Sequence, residues 1–183
     1  MNNPPTLKIS LLLAALFVLP VAHAQVMSKV DYKAAKERIS ATYKSDKSAC
    51  ASLAANAKDV CVEQARATEK VARADLEYSH TGKAADRNKA RVAKAESTYA
   101  VAKERCDDLA GNPKDVCVKE AKAIEVSALA DARMGKEIGE ARRDAASDKL
   151  DAEYKVAIEK CDALAGDANA SCVMAAKSSF GKT

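Results

Sequence analysis

The sequence predicts an all-α protein: three disulfide-stapled antiparallel helical hairpins in an elongated, coiled-coil-like bundle. Three observations lead there. One cysteine phrase is written three times, as Tyr43…Cys50…Cys61, Tyr99…Cys106…Cys117 and Tyr154…Cys161…Cys172, with a leucine (Leu53, Leu109, Leu164) three residues after each first cysteine. So regular a repeat marks one supersecondary unit used three times. Alanine, the best helix former, makes up more than a fifth of the chain, while Gly and Pro number only 6 and 4, and no stretch alternates as a strand would. Finally, apolar residues recur in steps of three and four along each repeat.

The chain opens with an export signature. Lys8 and the amino terminus are positive, Ile9 to Leu19 is a short apolar run, Pro20 breaks it, and Ala22-His23-Ala24 is an A-x-A cleavage site. The run is too short to span a bilayer, and no cysteine follows it to take a lipid. The expectation is a signal peptide over residues 1–24, cleaved before Gln25, and a single helical domain over residues 25–183. Export points to the periplasm, with secretion as the second choice.

The repeats are centred near residues 50–61, 106–117 and 161–172. On one continuous helix, cysteines eleven apart would share a face but lie about 16 Å apart along the axis, too far for a disulfide. The residues between them give a different answer. In the second copy, Gly111 suits a helix end, Asn112 an N-cap and Pro113 the first helical position, and Asp115 places a carboxylate in the first turn. Gly166-Asp167 and Ala55-Asn56 occupy the same place in the other copies. The turn falls midway between the cysteines, and residues equidistant from a hairpin turn face one another. Cys50–Cys61, Cys106–Cys117 and Cys161–Cys172 are therefore the expected pairs out of fifteen full pairings, and an exported location supplies the oxidising compartment. The twin cysteine-x9-cysteine hairpins of mitochondria differ, since the spacer here is ten residues and contains the turn.

The first arms carry the stripes Ile39-Tyr43-Asp46-Cys50-Leu53, Val92-Ala95-Tyr99-Ala102-Cys106-Leu109 and Leu150-Tyr154-Ala157-Cys161-Leu164. The tyrosines read as hairpin packing rather than a ligand box. Second arms offer small residues, as in Cys61-Ala65-Thr68-Ala72 and Cys117-Ala121-Ile124-Ala128, which let helices approach closely. Between hairpins the pattern weakens at Ser79-His80-Thr81-Gly82 and at Met134-Gly135-Lys136-Glu137-Ile138-Gly139. Each is either a reversal or the interior of a longer helix, because an isolated glycine costs a helix only about 1 kcal/mol. His80-Thr81-Gly82 is the stronger turn signal.

The phrases Tyr-Lys…Cys-Asp-x-Leu-Ala-Gly and Lys-Asp-Val-Cys-Val-x-Glu-Ala-Lys stand at Cys106 to Leu109, Lys114 to Lys122, Tyr154-Lys155 and Cys161 to Leu164. In these the chain resembles a group of functionally uncharacterised, exported Ala/Lys-rich helical proteins of proteobacteria, often labelled cell-envelope or TolA-like. The resemblance spans nearly the whole mature chain. It implies export and helices, and it supplies no catalytic residues.

Composition narrows the function classes. Formal charge is +4, or +3 once Lys8 is removed, with acids and bases interleaved as in Lys29-Val30-Asp31 and Lys103-Glu104-Arg105. Such mixing reads as a solvated helix surface and disfavours a nucleic-acid face. There is no CxxC redox pair, and His80 is the only histidine after residue 24, so neither a metal nor another cofactor is expected. No nucleophile–base set or Gly-rich phosphate loop stands out. The expectation is a non-enzymatic structural or protein-interaction protein of the envelope, its partner an unidentified envelope protein or polymer. The alternatives are a stress-responsive, chaperone-like holdase, or a weak binder of peptidoglycan, lipopolysaccharide or nucleic acid.

Overall fold

The structure is a computed structural model that describes residues 27–182; the expected signal peptide and its cleavage site lie outside them. The described chain is helical throughout: α1 (Lys29–Ala49), α2 (Ala55–Thr81), α3 (Ala84–Cys106), α4 (Asn112–Asp162) and α5 (Gly166–Ser179), with a short 3-10 turn, Cys50–Ser52, after α1. Ser28 caps α1 by accepting from the Asp31 amide at 3.1 Å. Among the described residues, no helix is long and apolar enough to cross a membrane.

The three expected disulfides are present, with Cα–Cα separations of 5.6, 5.7 and 5.6 Å. Each closes a hairpin tip. One sulfur of each pair is wholly buried, and Cys50, Cys106 and Cys161 are the largest side chains so enclosed. The rest of the buried apolar set is mostly alanine, at 65, 67, 90, 93, 95, 121, 132 and 176, with Leu76 and Val101. Alanine buries little area. Helix association therefore rests on close approach, and the staples carry much of the order at the tips.

The two uncertain junctions resolve differently. Gly82 adopts φ 64° and ends α2 in a left-handed cap, its amide donating to the Tyr78 carbonyl at 2.8 Å. The chain reverses there. Residues 134–139 instead lie inside α4, an unbroken helix of 51 residues, about 76 Å long at 1.5 Å per residue.

Each helix packs only on its neighbours in sequence: α1 on α2, α2 on α3, α3 on α4, and α4 on α5. The bundle is thus an open, single layer of antiparallel helices. The first two tips lie side by side, joined where the Asn56 side-chain amide donates to the Glu104 carbonyl at 3.0 Å. At the opposite end the Tyr32 hydroxyl donates to Glu77 at 2.8 Å, and its ring lies 4.4 Å from that of His80. Beyond Arg143, α4 leaves α3 behind and runs on to the third tip. There α5 folds back, with Lys182 meeting Asp151 at 2.6 Å and Phe180 packing edge-on to Tyr154 at 5.8 Å.

Candidate interaction surface

The turn residues do part of what the sequence assigns to them. The position five after each first cysteine is left-handed in all three copies: Ala55 at φ 48°, Gly111 at 58° and Gly166 at 57°. Cap register differs by one residue from expectation. Gly111 is itself the N-cap of α4, with φ 58° and ψ −145°, so Asn112 becomes the first helical residue and Pro113 the second. The positive φ completes the reversal early, and Pro is tolerated at the second position because that amide also has no intrahelical acceptor. The N-caps of α2 and α5 are Ala54 and Ala165, and Asn56 is a cross-tip bridge instead of a cap. Asp167 supplies the acid in the first turn of α5.

The stripe tyrosines pack within the hairpins, each half-buried and attended by a lysine: Lys47 by Tyr43, Lys122 by Tyr99 and Lys182 by Tyr154, at 5.9, 4.9 and 5.8 Å from the ring centres. Such pairs contribute about 0.5–1 kcal/mol at exposed sites. The stripe leucines do not pack. Leu53, Leu109 and Leu164 are 42, 44 and 46% exposed, because each falls in the turn after its helix has ended, where no facing arm remains. Asp46 is exposed as well.

What the layer does create is a grooved face. Between α2 and α3 runs a groove of about 510 Å³, walled by Gln64, Thr68, Val71 and Asp75 on one side and Lys94, Thr98, Val101 and Arg105 on the other. Both walls step by four, three and four residues, and their side chains are short in the middle. Thr68 and Ala72 also line a groove of about 270 Å³ between α1 and α2. Lys94 and Thr98 also line one of about 350 Å³ between α3 and α4, where Ile124 is 63% exposed. The shared residues place all three grooves side by side on one face. Charge stands at the ends of the central groove, whereas Arg38, Asp46 and Glu69 line the α1–α2 groove and Arg91, Lys94, Asp131 and the buried Glu125 the α3–α4 groove.

The other side of the α2–α3 pair is different. Its groove is lined by Lys70, Arg73, Glu77, Lys89 and Glu96, and the Lys70–Glu96 ion pair crosses it at 2.6 Å. The two grooves are alike in size, about 510 Å³ each, and Ala74, Val92 and Ala93 also line the second; the difference is the ion pair that crosses it. Ser97, buried beside the apolar groove, has a hydroxyl with no hydrogen-bond partner among the described residues.

Chemically, this arrangement is suited to receiving another helix. A groove flanked by ridges of small residues is the shape into which the side-chain ridge of a second helix fits, and short Thr and Ala side chains let it come close. Among the described residues no cluster of three His, Cys, Asp or Glu side chains is placed to hold a metal ion. His80 is engaged in the turn, its Nδ1 3.0 Å from the Met27 carbonyl. Sequence reading found the seam that pairs the arms and missed the second stripe beside it. The four-three-four spacing at 64–75 and 94–105 was the available signal. The chain matches no known family model, no curated protein and no solved structure.

Proposed function

We propose that the chain is a non-enzymatic helical interaction protein of the periplasmic cell envelope, which receives amphipathic helices of an envelope partner in its grooved face. The observation that carries this reading is the three contiguous grooves on one side of a single layer, the central one lined by Thr68, Val71, Thr98 and Val101 and crossed by no ion pair among the described residues. Binding of an amphipathic helix along such grooves uses apolar anchors spaced at i, i+3/i+4 and i+7. Three disulfides support an oxidising compartment. The test is photo-crosslinking in cells from Thr68 and Thr98, with Lys149 as an exposed control. A discrete partner captured from the two groove positions and not from Lys149 is the expected result. Equal capture from all three, or none, removes the proposal.

The exposed leucines at the tips favour a second reading, a chaperone-like holdase. Leu53 and Leu109 belong to tips that lie side by side and offer apolar contact to an unfolded client. Suppression of client aggregation that is lost in Leu53→Ser/Leu109→Ser favours this reading; no suppression by the intact protein rejects it.

A further inference from the structure

A second cleft lies between α3 and α4, near the reversal at Gly82, and its chemistry is unlike that of the grooved face. Arg87 and Arg91 of α3 and Lys136 and Arg143 of α4 line it, with Glu140 as the one carboxylate. Glu140 is 3.9 Å from Lys136. Arg87, Arg91 and Arg143 have no ion-pair partner among the described residues. Four cations facing one carboxylate leave a net charge of +3 in a space of about 70 Å³, several times the roughly 10–15 Å³ that one water requires. Like charges this close lie within a Debye length and repel, so the cleft is stabilised by any anion that enters it.

The backbone of α4 makes room for this cluster. Gly135 and Gly139, one turn apart, both line the cleft. A Cβ on Gly135 would lie 2.5 Å from Nη1 of Arg91, and one on Gly139 3.7 Å from Nη1 of Arg143. Gly135 therefore lets the Arg91 guanidinium lie directly against the helix, while at Gly139 an added Cβ would make only an ordinary contact with Arg143. The Arg91 contact explains why this stretch of α4 carries, at 135, a residue that weakens a helix. At the rim, Ala84 and Ala85 begin α3, which has no side-chain cap, and Asn88 adds a buried amide oxygen without a partner.

The geometry points to an oxyanion site for a phosphate dianion or phosphomonoester, held by Arg91 and Arg143 across the two glycines with Arg87 and Lys136 completing the charge. Planar guanidinium groups bind phosphate oxygens in pairs, which a lone lysine cannot do. A dianion answers the net +3 better than a single carboxylate would. The site adjoins the α3–α4 groove, with which it shares Arg91, while Arg87, Lys136 and Arg143 line the cleft and none of the three grooves.

The test uses the full-length mature protein with two probes. One is inorganic phosphate followed by calorimetric titration; the other is vesicles containing phosphatidic acid, with phosphatidylcholine vesicles as the blank. The expected result is saturable binding to at least one probe, weakened at least tenfold in Arg91→Gln and unchanged in Lys149→Gln. Gly135→Ala provides a second variant that favours the helix while displacing the Arg91 guanidinium, and it should also weaken binding. Binding to free phosphate identifies a soluble source; binding only to phosphatidic acid identifies a headgroup. Absence of binding to both, or binding that Arg91→Gln and Gly135→Ala leave intact, overturns the site.

Discussion

Ala55→Gly should stabilise this protein, although it removes a methyl group from a helix. Ala55 holds φ at 48°, whereas the equivalent positions in the other tips are Gly111 at 58° and Gly166 at 57°. Left-handed backbone costs an L-residue roughly 1–2 kcal/mol, because Cβ crowds the following carbonyl. Glycine escapes that cost but loses about 0.5–1 kcal/mol through its freer unfolded chain. The side chain is exposed, so no packing is lost with it. The balance is a gain of about 0.5–1 kcal/mol, or about 1–4 °C in Tm for a domain of this size. Reversible urea and thermal unfolding, with the disulfides intact, measure it. The mirror experiment is Gly111→Ala or Gly166→Ala, where nothing lies within 4 Å of the added Cβ; any loss is then backbone strain alone, about 1 kcal/mol or more. An Ala55→Gly protein that melts lower than its parent would refute the reasoning, since it would show that the first tip does not turn as the other two do.

Three further outcomes are expected. Replacing Cys161 and Cys172 by Ala opens a loop of about a dozen residues, worth about 3 kcal/mol on the chain-entropy argument; α5 has 14 residues and packs only on α4, too short to persist alone. Hydrogen exchange should then show α5 amides unprotected while those of α2 and α3 keep their protection. The Asp86 carboxyl is held below its ordinary 3.8 by hydrogen bonds from Lys89 at 2.8 Å and Thr81 at 2.7 Å. A depressed folded value stabilises above the unfolded one and is lost as pH falls through the folded one. Stability measured from pH 6 downward should therefore decline below about pH 4, and Asp86→Asn should flatten that decline. Finally, Ala132 is 1% exposed where α4 meets α3, and Ala132→Leu should cost about 1–3 kcal/mol by forcing the helices apart, readable as a lower urea midpoint.

What could be read from the chain was local. The cysteine pairing followed from a turn placed midway between two residues, whereas Gly82 after a polar run was the stronger of two turn signals, and its left-handed cap is what makes it a reversal. Gly135 and Gly139 were ambiguous because an isolated glycine weakens a helix by an amount that packing on α3 can offset. Only the structure shows the Arg91 side chain lying over Gly135, where a Cβ would meet it at 2.5 Å. The leucines misled because their spacing continues the apolar stripe past the end of the helix that carries it. Least legible was the layer. Periodicity identifies which side of a helix meets a neighbour, but α2 and α3 each have neighbours on two sides, and the stripe left over between them is the one that forms the groove.

The unaccompanied part of α4 has a mechanical consequence. Residues 144–150 are all exposed, so among the described residues the third tip is joined to the other two through one helix alone. Over this stretch Asp144 and Asp148 stand four residues apart, where like charges repel, and no packing against another helix adds to the local propensity of Ala145 and Ala146. A force separating the two ends passes undivided through about 10 Å of such helix. That segment yields before either stapled end is disturbed, and extending it lengthens the molecule while leaving the grooves and tips intact.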